Sequence, residues 1–337
     1  MPRIDTRITP QLASLVGVSD AIMAIHAEIE TVADSTASVL VTGPSGSGKD
    51  VVAQLLHQRS RRAAQPFVAL NCAAVAPDLL ESEMFGHEAG AFTGAIKARP
   101  GRFEAAHGGT LVPDEVGDMA TAMQAKLLRT LETRIVERVG GMLPIAVDVR
   151  LIAATSLDLF AAIDRGCFRS DLLYRLDVIR IEMPALADRP EDVPLLVRHF
   201  ADRLAGAPVR FDAAALSVLM AQPWPGNVRE LKNVVERAQA HFPGRTITRD
   251  DLAPLLRTGP ARLPVKPPAS PQRPVQPLSL AGVDLKRILH DIEHAYITEA
   301  LTASGGAVAA TAKLLGLQRT TLIEKMRRLQ IGPPATA

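Results

Sequence analysis

The sequence predicts an α/β protein: a largely parallel sheet covered by helices on both faces, followed by smaller all-helical parts. Three observations predict it. Short apolar runs alternate with helical patterns through the first half of the 337 residues, the pattern of a parallel sheet with crossover helices. After Pro184 the pattern is helical to about residue 256, with no convincing strand. A glycine- and serine-rich loop separates a strand pattern at Val39–Thr42 from a helix pattern beginning near Lys49, a strand–loop–helix order.

The elements follow in order. Residues 1–16 show no periodicity and read as a lead-in. Ser19 is placed to cap a helix whose apolar face is Ile22, Ile25, Ile29 and Val32. The strand candidates are Val39–Thr42, Phe67–Leu70, Thr110–Val112, Val147–Ala153 and Val178–Ile181. Residues 257–280 carry prolines at 260, 264, 267, 268, 271, 274 and 277 and no Asp or Glu, which reads as an extended, semi-rigid linker. Beyond it, Asp284 is placed to cap a helix with Leu285, Ile288, Leu289, Ile292, Tyr296 and Leu301 along one face, and two shorter helices meet at Gly316. The expected division is 1–16, 17–184 (α/β), 185–256 (helical), 257–283 (linker) and 284–331 (helical).

Composition excludes several function classes. Aromatic residues are 4% of the chain, too few for a base-stacking platform. Two cysteines, Cys72 and Cys167, exclude a disulfide framework and a four-cysteine zinc site, and read as reduced thiols. The start lacks the shape of a signal peptide, and no apolar run reaches the roughly 18 residues of a membrane span. A cytoplasmic protein with no membrane partner is expected. Charge is uneven. From residue 252 onward 11 Lys/Arg face 5 Asp/Glu, while the preceding part is mildly acidic. That hints at a nucleic-acid-binding tail, although charge alone favours a solvated basic surface.

The strongest motif is Gly43-Pro44-Ser45-Gly46-Ser47-Gly48-Lys49. Glycines let backbone N–H groups approach phosphates, the helix start adds positive charge, and Lys49 reaches the terminal phosphates. Asp50 stands where the general motif has a Ser or Thr that holds magnesium, so the metal must be held differently. A second strand pattern ends at Pro113-Asp114-Glu115. Asp114 is the candidate Mg2+ partner and Glu115 the candidate base that orients water. Pro113 is awkward in a central strand, because it offers no ladder hydrogen bond.

Residues 15–250 resemble the AAA+ domain of bacterial enhancer-binding proteins, the activators of sigma-54 RNA polymerase. The segment that carries the resemblance is Gly90-Ala91-Phe92-Thr93-Gly94-Ala95, preceded by Glu83-Met-Phe-Gly-His-Glu88. The resemblance implies a loop that engages sigma-54. Small residues suit a mobile loop, and Phe92 is its one large apolar tip; a tight turn with the ring packed inward is the alternative. The same resemblance makes Asn71 the residue that restrains the catalytic glutamate, and Arg169 and Arg175, in Phe168-Arg-Ser-Asp-Leu-Leu-Tyr-Arg175, the arginine fingers that reach a neighbouring subunit's nucleotide. Ser156 replaces the asparagine usual after the nucleotide-sensing strand Arg150–Thr155. Asp50 is the family's usual residue at its position.

Trp224-Pro-Gly-Asn-Val-Arg-Glu-Leu231 matches the start of the family's helical lid. Asn227 and Glu230 have the spacing of a capping box. Arg229 lies in the first turn, where a cation is disfavoured unless a phosphate is near; a surface ion pair with Glu230 is the alternative. Residues 284–331 resemble a Fis-type helix-turn-helix. Leu314, Leu315, Leu317, Leu322, Met326 and Leu329 supply its apolar side, which leaves Gln318, Arg319, Thr320, Thr321, Lys325 and Arg328 outward for DNA. Ala307 replaces the usual capping asparagine.

Together these matches imply a P-loop AAA+ parallel-sheet domain with a helical lid and a C-terminal helix-turn-helix. They imply an ATP- and Mg2+-dependent transcription activator that works as a homo-oligomeric ring, a hexamer when active and a dimer when inactive. Its partners would be the sigma-54 RNA polymerase holoenzyme and upstream double-stranded DNA. About 16 residues precede the ATPase pattern, so control is expected from another protein in trans, from expression level or from constitutive activity. Two rivals stand beside this reading. One is a DNA-binding regulator with a degenerate ATPase in a mixed ring, favoured by Pro113 and Ser156. The other is an AAA+ machine acting on something other than polymerase, disfavoured by the Phe92 loop.

Overall fold

A computed structural model describes residues 14–92, 94–256, 285–304, 307–329 and 331. Thr93, the proline-rich segment, Asp284 and residues 1–13 of the expected lead-in lie outside the described residues. The chain divides into two units, Met1–Ala261 and Arg262–Ala337, and each is described by itself.

The first unit begins with α1 (Asp20–Val32), β1 (Val39–Thr42), α2 (Lys49–Gln58) and β2 (Phe67–Asn71). Then come α3 (Pro77–Phe85), the two-residue strands β3 (Gly86–His87) and β4 (Arg99–Pro100), α4 (Arg102–Ala105) and β5 (Thr110–Asp114). Next are α5 (Thr121–Thr133), the hairpin strands β6 (Ile135–Glu137) and β7 (Pro144–Ala146), and β8 (Arg150–Thr155). The α/β part closes with α6 (Leu159–Asp164), α7 (Ser170–Leu176) and β9 (Ile179–Glu182). Five of these strands form one sheet, ordered β2-β5-β8-β1-β9, and every pairing in it is parallel.

Alternation along the strands explains why both faces are covered. Leu40, Leu111, Leu151 and Ala153 point to one core, and Val39, Val41, Val112, Ile152 and Ala154 to the other. Period-two side chains on a buried strand must find two apolar partners, and helices supply both. Each fully buried Leu or Ile contributes about 1.5–3 kcal/mol relative to exposure. Ser19 caps α1 as its position predicts, accepting the Ile22 N–H at 3.4 Å.

Buried Arg150 starts β8 and donates to the carbonyl oxygens of Ala33 and Val32, past and at the end of α1, and of Leu56 near the end of α2. Helix C-termini leave carbonyls without partners, and a cation there is favourable.

The strands differ from expectation at their ends. Val147 and Val149 are buried but precede β8. The Val147 N–H instead donates to the Arg134 oxygen, past the end of α5. Val178 is exposed and β9 starts one residue later. Pro113 does lie inside β5. The backbone nitrogens of Thr110, Val112 and Asp114 point the opposite way to those of Leu111 and Pro113, and Thr110 donates toward the β2 side. The missing donor of Pro113 therefore faces β8, where the register runs only from Thr110↔Arg150 to Leu111↔Leu151. The β5–β8 ladder therefore stops short of Pro113, which has no N–H to continue it.

The rest of the unit is helical: α8 (Val193–Ala201), α9 (Ala213–Met220), α10 (Asn227–His241) and α11 (Arg249–Leu256). They enclose a separate core that includes Leu186, Leu196, Trp224, Leu231 and Val235. Contrary to expectation the segment holds strands. β10 (Arg210–Phe211) and β11 (Thr246–Ile247) pair in parallel, and two residues are too few to show alternation in sequence.

The second unit is α12 (Leu285–Ala303), α13 (Val308–Leu314) and α14 (Arg319–Arg328) around Ile297, Leu301, Ala312, Leu322, Met326 and Leu329. Two expectations are corrected. Leu314 and Tyr296 are exposed rather than packed. The packed face of α12 instead runs through Ile297 and Leu301, four residues apart and one above the other on a helix. Among the described residues no helix is long and apolar enough to cross a membrane. Both cysteines are free; burial pushes the Cys72 thiol up to about 12.

Candidate functional site

The phosphate loop joins β1 to α2. Gly43, Gly46 and Gly48 have φ of +139°, +75° and +108°, conformations that favour glycine. Space also demands it. A Cβ on Gly43 would lie 2.4 Å from the Met183 oxygen, and one on Gly46 2.5 Å from the Gly226 oxygen. Pro44 and Ser45 are exposed along the loop. α2 starts at Lys49 with no side-chain cap, so its first N–H groups point into the loop, the arrangement that binds anions. The Ser47 hydroxyl is buried without a hydrogen-bond partner. Asp50 is exposed in the first turn of α2.

Lys49 is buried, and its Nζ donates to the oxygens of Gly43 (2.9 Å) and Pro44 (3.3 Å). The same Nζ lies 3.7 Å from Glu115 Oε1. Asp114, at the end of β5, accepts from Asn71 Nδ2 at 3.2 Å and from the Glu115 N–H at 3.0 Å. Burial first, then the Glu115 charge, pushes the Asp114 carboxyl above its ordinary value, and Lys49 opposes this. A divalent cation would relieve that unbalanced negative charge. Among the described residues no three ligating side chains gather into a metal cluster. One carboxylate with phosphates and waters suits magnesium.

In this structure the Asn71 amide donates to Asp114 and not to Glu115. Asn71 and Asp114 are register partners across β2 and β5, so their side chains share a face. Glu115 is one residue further on, with φ +54°. Its Oε2 accepts from Ser156 N and Ser156 Oγ, both at 2.8 Å.

The lid closes on the same loop. Arg229 N donates to the Gly46 oxygen and Arg229 Nη1 to Ser45 Oγ, each at 3.3 Å. The expected Asn227–Glu230 capping box does not form. Asn227, with φ +51°, sends Nδ2 to the Ser45 oxygen (3.0 Å) and accepts the Leu186 N–H (2.8 Å), while Glu230 accepts the Gly226 N–H (2.8 Å). Buried Arg189 donates to the Ser47 oxygen at 2.9 Å. No periodicity or motif singles it out, since it lies in a turn between apolar runs.

Arg169 and Arg175 lie at the two ends of α7. Arg169 forks onto Asp171 at 3.0 and 2.6 Å, and Arg175 donates to the Leu131 oxygen at 3.0 Å. Among the described residues neither bonds to the phosphate loop, Asp114 or Glu115 of its own chain.

Gly90, Ala91, Phe92, Gly94 and Ala95 form a loop between β3 and β4, which pair antiparallel at its base. The loop is hydrogen-bonded rather than open: Gly90 N–H donates to the Ala95 oxygen (2.8 Å) and Ala95 N–H to the Phe92 oxygen (3.0 Å). The Phe92 ring meets His87 edge-on at 5.1 Å and stays 39% exposed. Arg138, entering from the β6–β7 hairpin, donates to Glu88 and forks onto Glu104. The hairpin carries Met142 and Leu143, both exposed, a pair of apolar tips that the family motifs do not mark.

In the second unit Gln318, Arg319 and Thr320 are exposed at the start of α14, and Thr321 is half-buried. Arg328 is exposed and Lys325 half-buried, and both are held by Glu293 of α12, at 2.6 and 2.7 Å. Arg327 is exposed and belongs to no described ion pair.

Three family models match in sequence order: a Sigma-54 interaction domain over residues 15–182, an AAA+ ATPase lid domain over 187–266, and a Fis-family bacterial regulatory protein over 288–329. Transcriptional regulatory protein ZraR of Escherichia coli K12 is 44% identical over 325 residues, covering 95% of this chain and 70% of that protein. The DNA-binding transcriptional regulator NtrC of Rhizobium meliloti is 42% identical over 338 residues, covering 94% and 70%. Among solved structures, NtrX of Brucella abortus in complex with ATP aligns with a TM-score of 0.66 and 35% identity, covering 94% of this chain and 69% of that one. The chain belongs to the sigma-54-dependent transcription activators, which join an AAA+ ATPase domain and its lid to a Fis-type DNA-binding domain.

Proposed function

We propose that this activator hydrolyses ATP with magnesium at the Gly43–Asp50 loop and uses the resulting movement to open sigma-54 promoter complexes. The observation that carries the proposal is the convergence of Lys49, Asp114 and Glu115 at the strand ends, with Arg229 of the lid bonded to the same loop. Lys49 and the loop N–H groups bind the phosphates. Asp114 would hold magnesium, which supplies positive charge to the phosphate oxygens. Glu115 orients the attacking water. Arg169 and Arg175 serve the site of the next subunit in a hexameric ring, where such a guanidinium is worth roughly 10³–10⁵ in rate. Their position at the ends of α7, without bonds to their own loop, supports action across a boundary.

The loop of Gly90, Ala91, Phe92, Thr93, Gly94 and Ala95 is the part that touches sigma-54. Gln318, Arg319, Thr320 and Thr321 read upstream DNA. The exposed side of α12 that carries Tyr296 pairs two chains, which supports a dimer at rest and a two-fold operator. Residues 17–184 and 185–256 act as the motor, 257–283 as the tether and 284–331 as the DNA reader, all in the cytoplasm.

The test uses the full chain on a sigma-54 promoter with ATP and Mg2+. Wild type is expected to form open complexes. Glu115→Gln is expected to lose both turnover and opening. Phe92→Ala is expected to keep turnover and lose opening. Failure of wild type to open a promoter that an established relative opens overturns the proposal.

A further inference from the structure

Three consecutive carbonyl oxygens of the phosphate loop are held by residues that follow Pro184. Asn227 Nδ2 donates to the Ser45 oxygen at 3.0 Å, Arg229 N to the Gly46 oxygen at 3.3 Å and Arg189 Nη2 to the Ser47 oxygen at 2.9 Å. A trans peptide points its C=O and the following N–H in opposite directions. Holding the Ser45 and Ser47 oxygens therefore turns the N–H groups of Gly46 and Gly48 away from those donors. Among the described residues neither N–H has an acceptor, while that of Ser47 closes onto the Pro44 oxygen. Loop N–H groups left without acceptors make a seat for an anion.

Arg189 differs from the other two donors. Its guanidinium is buried, yet among the described residues it forms no ion pair, and its Nε has no hydrogen-bond partner. The Ser47 hydroxyl, on the residue it holds, is also buried and unpartnered. Asp192, the carboxylate in the same turn, is committed elsewhere. It accepts from Val18 N (2.6 Å), Ser19 N (2.9 Å) and Ser19 Oγ (2.7 Å), bonds that fix the turn. Burial pushes the Arg189 guanidinium below its ordinary pKa, and the Asp192 charge opposes this. A buried cation without a counter-ion is costly, and a bound anion offsets that cost.

We propose that Arg189 is a positioning residue for the nucleotide phosphates. Through the Ser47 peptide it aims the Gly48 N–H at the anion, and the bound phosphates balance its buried charge. The inference rests on the reading of the Gly43–Asp50 loop as the ATP site. It acts on nucleotide binding rather than on the chemical step, so it moves KM and not kcat.

The test compares wild type, Arg189→Met and Arg189→Lys as full chains, by mant-ATP titration with magnesium, steady-state turnover, and thermal unfolding without nucleotide. Exchanging an unbalanced buried charge for an apolar side chain of similar length is close to neutral for stability. Arg189→Met is therefore expected to melt within a few degrees of wild type. Its Kd for mant-ATP and its KM are expected to rise about tenfold or more, the size of a lost hydrogen bond from a charged group, with kcat within about twofold. Arg189→Lys keeps the charge without the fork and is expected to recover part of the binding. A Met variant with wild-type Kd overturns the proposal, as does a Lys variant that binds no better than Met. A Met variant that melts far below wild type, with Lys falling equally, shows a merely structural role and overturns it too. In all these cases wild type binds mant-ATP. Wild type that binds none is a separate result, which removes the reading of the loop and this inference with it.

Discussion

The side-chain amide of Asn227 donates to the carbonyl oxygen of Ser45 at 3.0 Å, across 182 positions of sequence. Its oxygen accepts the Leu186 N–H, so one side chain ties the phosphate loop, the start of the lid and the chain between the two cores. Asn227→Gly removes both bonds and leaves a buried N–H without an acceptor, a loss of about 1–3 kcal/mol. Asn227→Ala adds the cost of a left-handed backbone, about 1–2 kcal/mol more. Urea unfolding is expected to rank wild type above Gly and Gly above Ala, with a raised KM for ATP in both variants. Equal stability of the two variants would show that the backbone conformation carries no cost.

Glu293 occupies two of the cations on the DNA-reading helix. Lys325 is the first cause of its lowered carboxyl pKa. A phosphate must compete with that carboxylate for Lys325 and Arg328. Glu293→Gln is expected to tighten binding to a duplex several-fold at low salt and to steepen the salt dependence, because more phosphate contacts release more counterions. Fluorescence anisotropy across a salt series measures both. Unchanged affinity and slope would mean that the two cations stay clear of DNA.

Burial, and then the charge of Arg150, holds the His57 ring below the ordinary histidine pKa. The ring bonds Thr110 Oγ1 at 3.0 Å. With a depressed folded value, His57 contributes stability above about pH 6.5 that is lost as pH falls through that folded value, because the unfolded chain takes a proton that the folded chain refuses. The slope of unfolding free energy against pH between 7 and 5.5 is expected to exceed that of His57→Gln by up to about one proton. Identical slopes would remove His57 from the acid response.

Arg150 gives donors to the ends of two helices at once. Arg150→Met leaves the oxygens of Ala33, Val32 and Leu56 without this donor, and is expected to lower stability by about 2–4 kcal/mol. Arg150→Lys carries the charge on a single point and cannot reach both helices, so it is expected to recover less than half. Thermal unfolding distinguishes the three. A lysine variant as stable as wild type would mean that charge alone matters there.

Much of the fold and of the nucleotide site was legible in the sequence because the signals are local. The strand–loop–helix order around Lys49, the continuous apolar runs at Val39–Thr42 and within Val147–Ala153, and the Ser19 cap each depend on neighbours within one element. What was not legible depends on strands meeting. Asn71 binds Asp114 because of the β2–β5 register, and Glu115 turns to Ser156 because its own φ is positive. Neither follows from spacing along the chain. Glu293 reaches Lys325 across 32 positions, and helical periodicity alone left Lys325 facing solvent. Tyr296 and Ile297 are adjacent, and only the packing of three short helices decides which one is covered. Two-residue strands such as β10 carry too little pattern to announce themselves.

Pro113 has a consequence for the end of the central sheet. A strand that lacks an amide hydrogen at that position cannot zip further along its neighbour, however tightly the surrounding helices are pressed together. The end of that backbone pairing is written into the covalent chemistry of the chain. Past it the strand tips are tied by side chain, Ser156 clasping one oxygen of Glu115 while Lys49 stands 3.7 Å from the other.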